Sequence, residues 1–174
     1  KDTAEIELDA NGEFVRNPEV DLVKVAVVER HQGTGNVACG FLKGYGIKEG
    51  AVALSVAHDS HNIIVVGVSD EEMEFAVNSL IEQEGGIVLA KEGKVIESMP
   101  MPIAGLMSDQ SGEWVDQKLT DIHEKAYEEL GICGDVEPVM TLCFMSLAVI
   151  PEIKLTDMGL FDVTTFSFIP VEVE

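Results

Sequence analysis

The sequence VALSVAHDSHNIIVVGV, residues 52–68, decides the fold, because it places two apolar runs on either side of a short polar segment. Residues 52–57 and 63–68 each predict a β-strand, since both runs are apolar and contain β-branched residues. The second run is apolar at nearly every position, so we expect it to be covered on both faces in the middle of a sheet. Between the runs lie residues 58–62 (HDSHN), called the polar loop below, which hold two of the four histidines.

The flanking sequence predicts further strands and two long helices. Residues 22–28 (LVKVAVV) and 37–42 predict strands, and residues 87–99 predict a hairpin. Ser69 begins a capping box, in which a serine hydroxyl and a glutamate three residues later satisfy free backbone N–H groups. Ser111 is expected to cap a second helix, and apolar residues recur at helical spacing after both serines.

This order of elements predicts an α+β fold, with a mixed, largely antiparallel sheet and two main helices packed on it. Residues 141–148 and 163–169 predict the last strands. We assign residues 22–174 to one α+β domain and residues 1–21 to an N-terminal extension or to the tail of a preceding domain. In the latter segment, Asn11-Gly12 predicts a turn between two short edge strands.

The composition limits the partners of the protein. The net charge is −21, with only 11 lysines and arginines, which argues against nucleic acid and anionic membranes as partners. No apolar run reaches the ~18 residues of a membrane span, and the sequence shows no export leader. We therefore expect no membrane association and a cytoplasmic location.

The cysteines give little support to a zinc or redox site. Cys39, Cys133 and Cys143 form no C-x-x-C motif, which is the spacing that such sites favour. We expect three small buried thiols in a reducing compartment.

The polar loop is the first candidate for chemistry. If Asp59 and Ser60 are the central residues of a tight turn, His58 and His61 oppose each other with Cα atoms under ~7 Å apart. Two such imidazoles could bind a metal, transfer protons or hydrogen-bond a purine-like heterocycle, and Asp59 could fix a histidine tautomer. Because Asp, Ser and Asn are also common turn residues, a purely structural turn remains the alternative.

A second group of polar residues follows the strand at residues 22–28. Glu29, Arg30 and His31 come directly after it and precede a glycine loop, which is where α/β proteins often place ligand groups; an ordinary turn is the alternative. Motifs of metal sites such as H-E-x-x-H are absent. We therefore expect this chain to contain no metal ligand, no catalytic residue and no cofactor site. The candidate supporting residues are His58, Asp59, His61, Asn62, Glu29, Arg30 and His31.

Long stretches of the sequence resemble the C-terminal domain of bacterial-type adenine deaminases, which belong to the amidohydrolase superfamily. The likeness is carried by VAVVERHQGTGNVACGFLKGYGIKEGAVALSVAHDSHNIIVVG, residues 25–67. It continues through SDEEMEFAVNSLIEQEGGIVL (69–89), MPIAGLMS (101–108) and EPVMTLCFMSLAVIPEIKLTDMGL (137–160). It covers about residues 20–170, which is nearly the whole chain.

This resemblance implies a parent enzyme of purine salvage that hydrolyses adenine to hypoxanthine and ammonia. It implies manganese or iron held in a preceding β/α barrel, whose His-x-His motif this chain lacks. We expect the chain to pack on that barrel with the polar loop and residues 29–31 facing the active-site mouth, and to be inactive alone. Two alternatives remain, a structural or homo-oligomerisation module without an active-site role and a free-standing metal-dependent enzyme.

Overall fold

The computed structural model describes residues 2–173, which form three helices and eleven strands. The elements in chain order are β1 (Glu7–Leu8), β2 (Phe14–Val15), β3 (Leu22–Val28), β4 (Val37–Lys43), β5 (Ala51–Leu54), β6 (Ile63–Gly67), α1 (Asp70–Glu82), β7 (Gly86–Lys91), β8 (Lys94–Pro100), α2 (Gly112–Glu128), α3 (Pro138–Cys143), β9 (Ile153–Thr156), β10 (Gly159–Asp162) and β11 (Ser167–Ile169).

The centre of the fold is a six-stranded sheet with the order β4-β3-β6-β5-β7-β8. Each neighbouring pair in it is antiparallel. Strand β6 lies in the middle between β3 and β5, and all five of its residues are buried. The α+β class, the largely antiparallel sheet and the central position of the second apolar run are confirmed.

The two faces of β6 belong to two separate halves of the core. Ile63 and Val65 pack with the buried face of α1, whereas Ile64 and Val66 pack on the other side with residues of α2 and α3. Alternate residues of a strand point to opposite faces, so a continuous apolar run is required where both faces are covered.

Both predicted helix starts are confirmed. The Ser69 hydroxyl accepts a hydrogen bond from the Glu72 N–H at 3.3 Å, and the Ser111 hydroxyl accepts one from the Trp114 N–H at 3.3 Å. The carboxylate half of the predicted capping box is not formed, because Glu72 Oε1 instead accepts from the Glu92 N–H at 2.6 Å. Glu72 thus ties α1 to the turn between β7 and β8.

The strand predicted over residues 141–148 is wrong. This segment lies in α3 and the turns that follow it. Pro138 stands in the first turn of α3, and the Glu137 side chain caps it by accepting from the Met140 N–H. A short apolar run cannot be assigned to strand or buried helix by its pattern alone, and here the cap and the proline decide for helix.

The C-terminal strands form a second sheet of their own. The strand predicted over residues 163–169 is shortened to β11, which pairs with β10 in the order β11-β10-β9. Strands β9 and β10 were not predicted. The second sheet packs on β4, where a Cβ added at Gly40 would lie 3.1 Å from Leu160 Cδ1 and 3.7 Å from Leu155 Cδ1.

Residues near the N-terminus form the predicted small hairpin. Strands β1 and β2 pair antiparallel, and Gly12 in the turn has φ +83°. The ring of Phe14 lies on that of Phe41 in β4, with centroids 4.8 Å apart. The division of the chain at residue 21 stays a prediction.

The exposure of the cysteines differs from the expectation. Cys143 is buried, but Cys39 and Cys133 are exposed, so the prediction of three buried thiols is wrong. Cys39 lies in the edge strand β4, and Cys133 lies in the loop after α2. No helix within residues 2–173 has the length and apolar character needed to cross a membrane.

Candidate functional site

The antiparallel pairing of β3 with β6 brings the two groups of candidate residues together at one end of the sheet. Val28 and Ile63 are partners in the register, so residues 29–31 leave the sheet beside the polar loop. His31 Nε2 lies 2.7 Å from the Ser60 carbonyl oxygen, and the Arg30 N–H donates to Asn62 Oδ1 at 3.3 Å. We call residues 29–31 and the polar loop together the polar end.

The polar loop is part of a wider connection than a tight turn. Strand β5 ends at Leu54 and β6 begins at Ile63, so the predicted strand over residues 52–57 is too long and the two-residue hairpin is not formed. The His61 N–H donates to the Ala57 carbonyl at 2.6 Å. The rings of His58 and His61 are nevertheless adjacent, with centroids 5.3 Å apart and planes at 63°.

His58 is held from its other side by the segment that follows α3. Its N–H donates to the Cys143 carbonyl at 2.9 Å, and its ring stacks on Phe144, with centroids 5.1 Å apart. Sequence reasoning missed Phe144, because the segment was assigned to a strand. The one local signal for Phe144 within residues 2–173 was its aromatic ring in a run of otherwise aliphatic residues.

The surroundings of His61 favour the neutral form of its imidazole. Burial lowers its pKa below the usual 6.5, and the nearby His58 and the Arg30 charge lower it further. Its Nδ1 is buried and has no hydrogen-bond partner among the described residues. A neutral imidazole offers one donor and one acceptor, so a change in the loop that uncovers Nδ1 would make both available to a ligand.

Arg30 hydrogen-bonds the polar end to the loop after β8, which contains Ala104 and Gly105. Its Nε donates to the His61 carbonyl at 2.5 Å, and its Nη2 donates to the Ala104 carbonyl at 2.8 Å. A Cβ at Gly105 would lie 3.0 Å from the guanidinium nitrogens, so any larger residue would require the guanidinium to shift by a few tenths of an ångström. The Ser55 hydroxyl donates to the Gly105 carbonyl at 2.6 Å and secures the same loop from β5.

The Glu29 carboxylate holds the loop that follows it. It accepts from the backbone N–H groups of His31 (2.5 Å), Gln32 (2.8 Å) and Thr34 (3.1 Å) and from the Thr34 hydroxyl (3.2 Å). These bonds, foremost that of the Thr34 N–H, lower the pKa of Glu29 from 4.5 to about 2. Both oxygens are occupied within the loop, so the group acts as a structural anion.

Asn62 is buried and links the polar end to the second sheet. Its Nδ2 donates to Asp157 Oδ1 at 3.2 Å, and Asn36 Nδ2 lies 3.5 Å from Asp157 Oδ2. Asp157 was not predicted, because it lies 95 residues from Asn62 and follows a strand that the sequence pattern did not reveal. Asp59 is exposed, and within residues 2–173 it fixes no histidine tautomer by a hydrogen bond.

The described residues do not fit the metal that the resemblance implies. Among them no three His, Cys, Asp or Glu side chains are grouped so that they could hold a metal ion. His58 and His61 form a pair that no third ligand from residues 2–173 completes. We therefore assign no metal ligand in residues 2–173.

The fold defines the chain as an α+β domain, and comparison with known sequences defines its family. The family model described as the adenine deaminase C-terminal domain matches residues 1–167. The chain belongs to this family.

Curated relatives support the same assignment. The chain is 69% identical over 172 residues to adenine deaminase 2 of Desulfotalea psychrophila, which covers 99% of the chain. It is 51% identical over 164 residues to the adenine deaminase of Listeria welshimeri (94% of the chain) and 49% identical over 160 residues to that of Bacillus subtilis (92%). The chain spans 30%, 28% and 28% of these relatives, respectively, which is less than a third of each.

Proposed function

We propose that this chain is the C-terminal domain of a cytoplasmic adenine deaminase, an enzyme of purine salvage that converts adenine and water to hypoxanthine and ammonia. The family match over residues 1–167 supports the proposal, as do the names of the relatives. In this proposal the rest of the enzyme is an N-terminal β/α barrel that carries manganese or iron. Residues 22–174 form the domain, and residues 1–21 are an extension or the tail of the barrel domain.

We further propose that the polar end faces the mouth of the active site. The observation that carries this proposal is the grouping of three rings, those of His58, His61 and Phe144, beside the buried Nδ1 of His61. Adenine is flat and has hydrogen-bonding edges, so aromatic faces and a neutral imidazole are suited to meet it. Arg30 and Glu29 act as positioning residues, because they fix the backbone that carries these rings.

A structural or oligomerisation module is the second candidate function. It is favoured by the way in which Glu29, Arg30 and Asn62 direct their hydrogen bonds to other groups of the same domain. Under this alternative the polar end closes one end of the sheet and adenine never meets it. The two candidates differ in whether the histidine side chains affect turnover.

The test uses the full-length enzyme that contains this chain. We expect it to release ammonia from adenine, and absence of that activity would contradict the proposed enzyme. His58→Ala and His61→Ala are each expected to lower kcat/KM for adenine about tenfold or more, because small displacements at a reaction centre have effects of this size. Lys94→Ala, at the opposite end of the sheet, is the matched control and should leave kcat and KM unchanged. Near-normal turnover in soluble, folded His58 and His61 variants would favour the structural module.

A further inference from the structure

Half of the exposed large apolar side chains in residues 2–173 lie in the last fifth of the chain. Residues 140–173 hold nine of the eighteen. The same segment has five charged residues, whereas a quarter of the whole chain is charged. Interface cores are rich in aromatic residues and methionine and poor in charged residues. The exposed surface of residues 140–173 has this composition.

The exposed rings gather on the outer face of the second sheet. Phe161 and Phe168 are partners in the register of β10 with β11, so their side chains share a face. Their ring centroids are 5.3 Å apart, and Phe166 lies 5.2 Å from Phe161. Phe166 is 77% exposed and Phe168 is 52% exposed. We call these three residues the aromatic face.

A buried lysine lies on the same face. Lys154 is the register partner of Phe161, and it is 9% exposed. Burial lowers its pKa below the usual 10.5. Lys154 forms no ion pair with any other residue of the described range 2–173. A surface that covers the aromatic face could therefore supply a carboxylate to it, since buried charges are found paired.

We propose that the aromatic face packs against the rest of the same enzyme's polypeptide. More than two thirds of each relative lies outside the part that this chain matches, so in these relatives a large partner is joined covalently to the matching domain. Interfaces between domains of one chain typically bury 600–1,500 Å². The three rings of the aromatic face would supply part of that area. The inference rests on the family match and is independent of any role of His58 or His61.

The second sheet, which carries the aromatic face, also contacts the polar end, at the end of β10 opposite to Phe166. The turn between β9 and β10 holds Asp157, which accepts the hydrogen bond from Asn62. Met158, beside it in the same turn, is 71% exposed. A partner that covers the second sheet along its whole length would therefore also border the polar loop.

Hydroxyl-radical footprinting of the full-length enzyme tests this proposal. The rate of each residue is divided by its rate in the denatured enzyme, because side chains differ in intrinsic reactivity. On this scale Phe166 and Phe168 are expected to be oxidised about fivefold more slowly than Ile81, because oxidation follows solvent exposure. Ile81 is the internal control, since it is 57% exposed and lies on α1, on the opposite face of the central sheet from the second sheet. Oxidation of Phe166 and Phe168 as fast as that of Ile81 would overturn the proposal.

Dilution separates the proposed partner from a second copy of the chain. Protection that persists in the monomeric enzyme supports packing within one polypeptide, whereas protection that disappears as an oligomer dissociates overturns it. The double variant Phe166→Ser/Phe168→Ser is expected to raise the oxidation of Met158, and Ile81→Ser on α1 is its matched control. Protection of the aromatic face in an enzyme without adenine deaminase activity would contradict only the proposed function.

Discussion

The imidazole of His58 stacks on the ring of Phe144, with centroids 5.1 Å apart and planes inclined by 24°. Phe144 directly follows α3, whose last residue, Cys143, accepts the His58 N–H bond through its carbonyl. The orientation of His58 therefore depends on a helix that is 80 residues away in the sequence. Two contacts hold His58 from this side, one to the backbone of α3 and one to the ring of Phe144, and the ring of His61 is adjacent on another side.

Removing the Phe144 ring should release His58. Phe144→Ala is expected to cost about 1 kcal/mol of unfolding free energy, because stacked rings contribute about 0.5–1.5 kcal/mol beyond the area that they bury. In the full-length enzyme we expect kcat/KM for adenine to fall several-fold. Phe144→Leu keeps an apolar side chain and removes the stack, so it separates packing from orientation. Equal kcat/KM for Phe144→Leu and the wild type would contradict an orienting role.

Replacing Glu29 should change how stability depends on pH. Its pKa is about 2 in the folded chain and 4.5 ordinarily, so the unfolded chain binds the proton first as the pH falls. Its stabilising effect is therefore complete above about pH 4.5 and is lost as the pH falls through 2. Glu29→Gln is expected to lower the unfolding free energy at neutral pH and to approach the wild type at acid pH. Urea unfolding across this range measures the difference.

The control for this experiment is Glu74→Gln, at an exposed position on α1. It removes a carboxylate of the same length that holds no loop. We expect its unfolding free energy to follow that of the wild type at every pH. A Glu29→Gln curve parallel to the wild-type curve would mean that the carboxylate does not favour the folded chain.

The sheet and the two long helices were predictable because their signals are local. Serine caps, helical spacing and continuous apolar strands occur within single segments. The chemistry of the polar end was predictable as to its residue types but not as to its contacts. Asp157, Phe144 and the Ala104 carbonyl reach it from segments that the pattern either assigned wrongly or left unassigned, and no local signal records such long-range contacts.

Substituting Gly105 should disturb the polar end through Arg30. Its φ is +72°, and an added Cβ would lie 3.0–3.1 Å from the guanidinium. Gly33 is the matched control, because its φ is +65° and its Cβ would meet nothing within 4 Å. Gly33→Ala is expected to cost about 1 kcal/mol for backbone strain alone, and Gly105→Ala distinctly more. Thermal or urea unfolding measures both values.

Arg30→Ala provides the second arm of the Gly105 experiment. In the Arg30→Ala background the guanidinium is absent, so the extra cost of Gly105→Ala should fall to that of Gly33→Ala. The coupling energy of the double-mutant cycle measures the contact itself. A Gly105→Ala cost that is the same with and without Arg30 would show that the close approach is not what restricts this position.

Glu137 should act on the polar end from a distance through α3. One carboxylate oxygen caps α3 at the Met140 N–H, and the other bonds His123 Nε2 in α2. Glu137→Ala removes both contacts and is expected to cost about 1 kcal/mol, as the loss of a helix cap does. The loosening should pass along α3 to the Cys143 carbonyl, which accepts the His58 N–H at 2.9 Å.

Amide hydrogen exchange at His58 measures this transmission directly, because exchange reports the local opening of a backbone bond. Glu137→Ala should speed exchange at His58, whose N–H is bonded to Cys143 at the other end of α3. Glu137→Gln keeps an oxygen for the cap and should have a smaller effect, which separates the cap from the charge paired with His123. The amide of Val65 in the middle of the sheet is the internal reference, since both of its neighbouring strands hold it in register. Unchanged exchange at His58 in Glu137→Ala would mean that the polar loop holds its shape without the cap of α3.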